Sequence, residues 1–407
     1  MKTALQIAAL LVALTTFGSA LARDALTEGQ YLTTIGDCAS CHTARNGKPM
    51  AGGRVVPTPF GAIPSPNLTP DRETGLGEWS ADDFYQALHS GKAHDGTSLY
   101  PAFPFTSYTR VTRADSDAMF AYLKSLPAVR NPDTPNTLRW PYRMRSLMAT
   151  WRLMYFDEGE YPSDPKQSAR WNRGAYLVQG LGHCNECHAS RNSFGAMVTD
   201  PYLAGGLIPV QNWYAPDLSM GPEGGLAGWS EADVVALLKT GRSSKGSALG
   251  PMAEVVLKST QHLTDDDLAA IATYLKTLPP RAPVRQRGNA VDAAQVAQAG
   301  QKVYAQHCAD CHGADGRGKG DAYPPLDGNV SVTEPSGINA IRVVLSGGFA
   351  PATASHPRPY SMPPFAQVLT DDDAAAVVTY IRHAWSNRAS SVSPNDVRAY
   401  RSTPGGI

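Results

Sequence analysis

The sequence predicts an all-α protein: three consecutive small helical domains with long loops. Three observations predict it. One five-residue pattern occurs three times, as Cys38-Ala39-Ser40-Cys41-His42, Cys184-Asn185-Glu186-Cys187-His188 and Cys308-Ala309-Asp310-Cys311-His312, and uses all six cysteines. A short helical segment bearing Gly and Tyr precedes each copy: Gly29-Gln30-Tyr31-Leu32, Gly174-Ala175-Tyr176-Leu177 and Gly300-Gln301-Lys302-Val303-Tyr304. An apolar helix closes each repeat, over Asp115 to Leu126, Asp265 to Leu278 and Asp371 to Trp385. Acidic residues open all three, as a helix N-terminus prefers.

In chain order, Lys2, the apolar run Ala4 to Phe17 and the small-residue site Ala20-Leu21-Ala22 form an export signal, giving a mature chain from Arg23. The run is too short to span a bilayer. Each opening helix must cross its closing helix, and face-to-face crossing requires one helix to be slim there. A glycine against the aromatic of Tyr122-Leu123, Tyr274-Leu275 or Tyr380-Ile381 meets that need. A middle helix starts at Trp79-Ser80 and again at Trp229-Ser230, with Ser80 and Ser230 as N-caps, and a looser counterpart spans Ile338 to Leu345. Arg139-Trp140-Pro141-Tyr142-Arg143 leads into Met144 to Phe156, a basic and aromatic stretch. It reads as an ordered linker packed across two domains, with a membrane-surface helix or a partner contact as alternatives. Pro279 to Pro283 reads as a stiff linker, and the tail after Asn387 as loose. The boundaries are therefore a signal over 1–22, domains over 23–135, 166–283 and 284–390, a linker over 136–165 and a flexible tail over 391–407.

At 407 residues the chain is long enough for about three domains. Basic and acidic residues balance at 36 each, and removing the signal takes away Lys2 but no acid. That balance gives no footprint for nucleic-acid binding. Gly 37 and Pro 32 are high for a helical protein and fit long loops.

Cys-x-x-Cys-His is the attachment signature of c-type haem. Two thiols add to the vinyl groups and the adjacent histidine binds iron. Cys38, Cys41, Cys184, Cys187, Cys308 and Cys311 are thus predicted to hold three covalently bound haem c groups, with His42, His188 and His312 as iron ligands. Disulfides give no reason for a His after each pair, a thioredoxin-like motif would occur once, and structural zinc gathers two nearby knuckles. Export agrees, since c-type haem is attached outside the cytoplasm, and places the protein in the periplasm.

A Met thioether as second axial ligand raises the haem potential relative to a second His. Met252 in Gly250-Pro251-Met252 and Met362 in Ser361-Met362-Pro363-Pro364 occupy the expected loop between middle and closing helices. In the first repeat Phe103 stands there, and Phe cannot bind iron. That haem is five-coordinate or takes another ligand. His94 is the first candidate, with Met50 behind it. Met119 aligns with Ile271 and Val377 and reads as core, and His89 as packed or exposed. His183, His307, His262 and His383 read as packing or surface residues, and His356 competes weakly with Met362.

These repeats resemble class I cytochrome c domains. The mature chain as a whole resembles the three-haem cytochrome c subunit of bacterial periplasmic membrane-associated dehydrogenases, which serves alcohol, gluconate, sorbitol and fructose dehydrogenases and some molybdenum enzymes. The resemblance rests on the three motifs and on Pro66-Asn67-Leu68-Thr69-Pro70-Asp71, Leu99-Tyr100-Pro101-Ala102, Trp171 to Leu177, Gly182-His183-Cys184 and Thr260-Gln261-His262-Leu263. It implies a catalytic partner subunit carrying flavin, pyrroloquinoline quinone (PQQ) or molybdopterin. Electrons would pass to ubiquinone or to a terminal oxidase or cytochrome. Family members commonly have Met where Phe103 sits, although a Phe form also occurs. Many continue into an amphipathic C-terminal anchor, which this chain is not expected to have, leaving peripheral association with the outer face of the inner membrane. The alternative is a free-standing periplasmic multihaem carrier. An apolar docking patch would favour the subunit and a charged rim the shuttle. A catalytic haem enzyme is a minor third reading, since Asp265-Asp266-Asp267 and Asp371-Asp372-Asp373 are helix starts rather than acid–base pairs.

Overall fold

The computed structural model describes residues 26–221, 225–281, 293–320 and 322–401. The export signal, Ala282 and Pro283 of the stiff linker, and Pro404 to Gly406 lie outside them. The described chain is rich in helix. Among the described residues the strands form four two-stranded antiparallel hairpins, Val55–Thr58 with Gly61–Pro64, Gly206–Ile208 with Trp213–Ala215, Arg242–Ser243 with Gly246–Ser247, and Gly348–Phe349 with Ser361–Met362. The all-α expectation did not include these hairpins. The chain divides into two compact units. One holds the described residues up to Pro162 together with Gly180–His183, and the other holds Ser163–Gln179 and the described residues from Cys184 onward.

One helix crossing recurs three times. The opening helices are residues 26–35, Ala169–Gln179 and Ala293–His307, and the closing helices are Arg113–Ser125, Asp265–Leu275 and Asp371–His383. A Cβ on Gly29 would lie 2.0 Å from the Ala118 carbonyl oxygen and 2.9 Å from Tyr122 Cβ. For Gly174 the distances are 2.0 Å to Ala270 O and 2.9 Å to Tyr274 Cβ, and for Gly300 2.1 Å to Ala376 O and 2.7 Å to Tyr380 Cβ. Backbone meets backbone at each crossing, so only glycine fits. The residue after each alanine (Met119, Ile271 or Val377) is buried, as the core reading of Met119 requires.

The helix starts are held as their sequences direct. Thr112, Thr264 and Thr370 cap the closing helices by accepting from the N–H of Asp115, Asp267 and Asp373. Ser80 and Ser230 form capping boxes with Asp83 and Asp233 at the middle helices Ala81–Ser90 and Glu231–Thr240. The third middle helix spans Ile338–Ser346. Lys124 Nζ donates to the carbonyls of Leu76 (3.0 Å) and Gly77 (2.7 Å), and Lys276 Nζ to those of Leu226 (2.9 Å) and Trp229 (2.6 Å). The closing helix thereby clamps the loop ahead of the middle helix.

Within the first unit, the basic aromatic stretch forms the helix Leu147–Tyr155. Buried Trp151 and the following Phe156 stand edge-on to Phe105, at 6.2 and 5.0 Å, and the Arg152 guanidinium lies over both phenylalanine rings. Leu147, Leu153 and Met154 face outward. No helix among the described residues is long and apolar enough to cross a membrane.

The expectation of a loose tail from 391 is corrected over its described part. Residues Pro394–Arg401 form a helix with Val397 fully buried. Arg401 pairs with Asp371 at 2.6 Å and bonds the Ala366 and Leu369 carbonyls, and Arg398 lies 3.2 Å from Asp371. Polar composition hid this because the arginines serve carbonyls and a helix-start carboxylate.

Replacing Gly174 by Val is expected to cost about 3 kcal/mol or more by overpacking. Gly228→Ala, where a Cβ meets nothing within 4 Å, should leave the thermal unfolding midpoint in place. The Arg401 hydrogen bond and both arginine charges hold the Asp371 carboxyl below its ordinary 3.8. Folding therefore releases that proton more readily, so the stabilisation is complete above that value and fades as pH falls through it. Hydrogen exchange of helix Pro394–Arg401 should accelerate on acidification below that pH, and Arg401→Ala should abolish most of this dependence.

Candidate haem sites

Each predicted cysteine pair lies at the end of its opening helix, on a short turn that runs directly into the histidine. The turns are helical at Cys38–His42 and Ala309–His312, and a 3-10 turn spans Cys184–Glu186. The His188 and His312 N–H groups both bond the first cysteine's carbonyl, at 2.9 Å. The six cysteines form no disulfide. Burial pushes the thiols of Cys38 and Cys184 up to about 12 and that of Cys308 to about 11, with the partner cysteine adding to each. The first thiol of each pair is thus held neutral.

The three histidines share one further partner. His42 Nδ1 lies 2.8 Å from the Pro66 carbonyl, His188 Nδ1 2.7 Å from that of Pro216, and His312 Nδ1 3.0 Å from that of Pro324. A carbonyl only accepts, so Nδ1 carries the proton and the Nε2 lone pair is left for a metal. Burial lowers the pKa of all three, partly offset by the carbonyl, and keeps the imidazoles neutral. A metal-binding histidine ordinarily has its other nitrogen held in this way. The donor set fits covalent haem at each motif.

Sequence reasoning missed the residues that make this geometry. The N–H of Gly52, Gly205 and Gly318 bonds the histidine's own carbonyl, at 2.8, 2.9 and 2.8 Å. All three glycines have φ near +75°, and a Cβ would strike the proline segment: 2.5 Å from the Pro66 carbonyl carbon, 3.0 Å from that of Pro216 and 2.9 Å from that of Pro324. Two residues beyond each proline, Leu68, Leu218 and Leu326 donate to the carbonyls of Met50, Leu203 and Gly316. A signal was available. Pro66-Asn67-Leu68-Thr69 matches Pro216-Asp217-Leu218-Ser219, and the Thr69 and Ser219 N–H groups bond the Asn67 and Asp217 side chains at 2.9 and 2.7 Å.

The candidate sixth ligands sit in three unlike structures. Met252 is the second residue of the helix Pro251–Lys258, and Met362 pairs with Gly348 in a hairpin. Phe103 packs its ring 5.4 Å from Tyr108. His94 is half exposed, stacked on Trp79 at 5.8 Å, with Nδ1 3.0 Å from Asp83, which leaves Nε2 as the nitrogen a metal could take. His89 has Nδ1 at 3.1 Å from the Thr109 carbonyl and Nε2 at 3.8 Å from Glu158, so it is committed elsewhere. Met50 is buried at the loop position that Leu203 fills in the second repeat, a packing role. His183 stands edge-on to Tyr108 and His307 to Phe365. His356 bonds Ser355, and His383 the Thr379 carbonyl.

The cytochrome c family profile matches residues 26–127 and 297–385. The cytochrome c subunit of the quinone alcohol dehydrogenase of Gluconobacter oxydans is 38% identical, over 95% of this chain and 85% of the relative. The chain belongs to the family of dehydrogenase cytochrome c subunits. A further member is the gluconate 2-dehydrogenase cytochrome c subunit of Pantoea cypripedii, 37% identical over 93% of this chain and 90% of its own. The fructose dehydrogenase cytochrome subunit of Gluconobacter japonicus is 34% identical, over 93% and 83%. Membership implies covalently bound haem c in this chain.

The Gly205 contact makes a checkable statement about His188. In Gly205→Ala the added methyl displaces the Pro216 carbonyl and weakens its hold on Nδ1. A less basic imidazole stabilises the oxidised iron less, so the midpoint potential of one haem should rise while the others stay fixed.

Proposed function

We propose that this chain is an electron-transfer subunit carrying three haem c groups, one in each of three consecutive class I cytochrome c domains. Domains over 23–135, 166–283 and 284–390 remain the best division, the last extended by the helix to Arg401. The observation that carries the reading is the threefold recurrence of a paired-thiol turn with a histidine whose Nδ1 is spent on a proline carbonyl. Haem supplies reversible one-electron chemistry at iron when bound. The protein's part would be to fix each group through two cysteines, with Nε2 of His42, His188 and His312 and the thioethers of Met252 and Met362 available to the iron. The first site differs, with Phe103 in the methionine's place and His94 as the candidate ligand, and is expected to have its own potential.

Electrons come from a catalytic dehydrogenase subunit with flavin, PQQ or molybdopterin and leave to ubiquinone or a terminal oxidase or cytochrome. The names of the alcohol, gluconate and fructose dehydrogenase cytochrome subunits that this chain resembles support this over the free-standing carrier. So does the first unit's surface, where Trp140 is 72% and Leu153 88% exposed beside exposed Met144, Leu147 and Met154. An apolar face of that kind suits a lasting partner better than a transient one. The export signal and the haem chemistry put the subunit in the periplasm, with peripheral membrane association.

Haem content decides the count. The mature protein should carry three haems per chain, and Cys184→Ala with Cys187→Ala should leave two; two haems in the unaltered protein would overturn the tri-haem reading. Mild purification from native membranes should bring down a large cofactor-bearing dehydrogenase subunit, and its consistent absence would favour the free carrier.

A further inference from the structure

Arg342 stands on the helix Ile338–Ser346 of the third repeat, yet it does not serve that repeat's core. Ile341, Val344 and Leu345 of the same helix pack inward. Asn339 and Arg342 instead meet the hairpin strand Trp213–Ala215 of the second repeat, in the same compact unit. Asn339 accepts from the Tyr214 N–H at 2.9 Å and donates to the Tyr214 carbonyl at 2.8 Å, which fixes the register of helix on strand. Arg342 is only 2% exposed, and its guanidinium lies 4.8 Å from the centre of the Trp213 ring.

Two donors are left over. Arg342 Nε and Trp213 Nε1 are buried and have no hydrogen-bond partner, and Arg342 makes no ion pair among the described residues. The nearby buried carboxylate, Glu334, is taken: it accepts from the Ser336 N–H and hydroxyl and from the Asn339 N–H, and its charge is shared with Arg382. Arg382 shows how this fold treats a buried guanidinium it can satisfy, with bonds to the carbonyls of Val332, Glu334 and Ser390 and to the Ser390 hydroxyl. Cation–π attraction offsets only a part of the cost of an unpaired buried cation, which demands an anion.

The position of Trp213 says which anion. Three residues on, Pro216 holds His188 on the proximal side of the second site. On its other side the ring fills the open face of Gly250, where a Cβ would lie 2.7 Å from Trp213 Cε2, and Gly250 precedes Pro251 and the candidate distal ligand Met252. Trp213 thus adjoins both the segment that would present His188 and the one that would offer Met252, the two segments between which a haem would be held. The anionic groups on a haem rim are its two propionates.

We propose that Trp213 and Arg342 together hold a propionate of the haem bound at Cys184 and Cys187, so that the third repeat supplies the countercharge that sets the potential of the second repeat's haem. Arg342 acts as a positioning and charge-compensating residue, and it rests on the haem reading of the second motif. Removing its charge favours oxidised iron and lowers the potential.

The test is a spectroscopic redox titration of the full-length holoprotein, with haem content measured on every sample. The component of the second haem is the one missing from the Cys184→Ala, Cys187→Ala protein. In Arg342→Gln that component alone should shift about tenfold in its reduction equilibrium toward the oxidised form, ~59 mV for one electron. Arg342→Lys should restore most of the shift. Trp213→Phe, which keeps the packing and loses the N–H, should move the same component by less and alter the propionate modes in its resonance Raman spectrum. If Arg342→Gln loses the haem, the lysine and phenylalanine variants carry the test. Unchanged potentials and propionate modes in haem-replete variants would overturn the proposal. Absence of haem at Cys184 and Cys187 in the unaltered protein would overturn the underlying haem reading instead.

Discussion

The repeated structure depends on one steric constraint: two helices that cross with a glycine against a carbonyl. Gly29, Gly174 and Gly300 bring the opening helix so close that a methyl group would fall about 2 Å from the partner's backbone oxygen. That contact fixes where the opening helix ends relative to the closing helix, and the Cys-x-x-Cys-His turn begins at that end. The tyrosine one turn along, Tyr122, Tyr274 or Tyr380, flanks the glycine and fills the space beside it. Threonine caps start each closing helix at a fixed residue, so the crossing cannot slide. Each cap contributes about 1 kcal/mol, but positional accuracy is the larger consequence.

The proximal side of every site inherits that accuracy. A histidine set by the turn meets a proline carbonyl set by a left-handed glycine, and three different loop sequences give the same result. The loop between them varies in length and content, with a four-residue-per-strand hairpin in one repeat and none at that place in another. What is kept is the pair of hydrogen bonds, one from the glycine N–H to the histidine carbonyl and one from Nδ1 to the proline carbonyl. They impose tautomer and ring direction together and leave Nε2 available for a metal.

The segments that carry the proposed second iron ligands are where the repeats diverge. A helix N-terminus presents Met252, a hairpin strand presents Met362, and an aromatic cluster of Phe103, Tyr108 and His183 takes the corresponding place in the first unit. In the second unit the segments bearing Met252 and Met362 also approach each other, since a Cβ on Gly348, the hairpin partner of Met362, would lie 3.4 Å from Leu249. Within this unit a residue of one repeat can set conditions in the next, as proposed for Arg342 at Trp213.

The chain's own residues determined a great deal. The cysteine and histidine spacing named the cofactor chemistry, the Gly and Tyr positions named the helix crossing, and Ser80, Ser230 and the aspartates named the helix starts, because each is a local requirement written in a few neighbouring residues. The tertiary structure alone decided what depends on distant partners. It chose Pro66, Pro216 and Pro324 as histidine partners, since any carbonyl is chemically adequate and only the folded loop selects one. It turned a polar tail into a packed helix, because Arg398 and Arg401 are polar to composition but serve a carboxylate and two carbonyls in the fold. It also buried Arg342 against Trp213, more than a hundred residues away in the chain, where the need for an anion appears only once water has been removed.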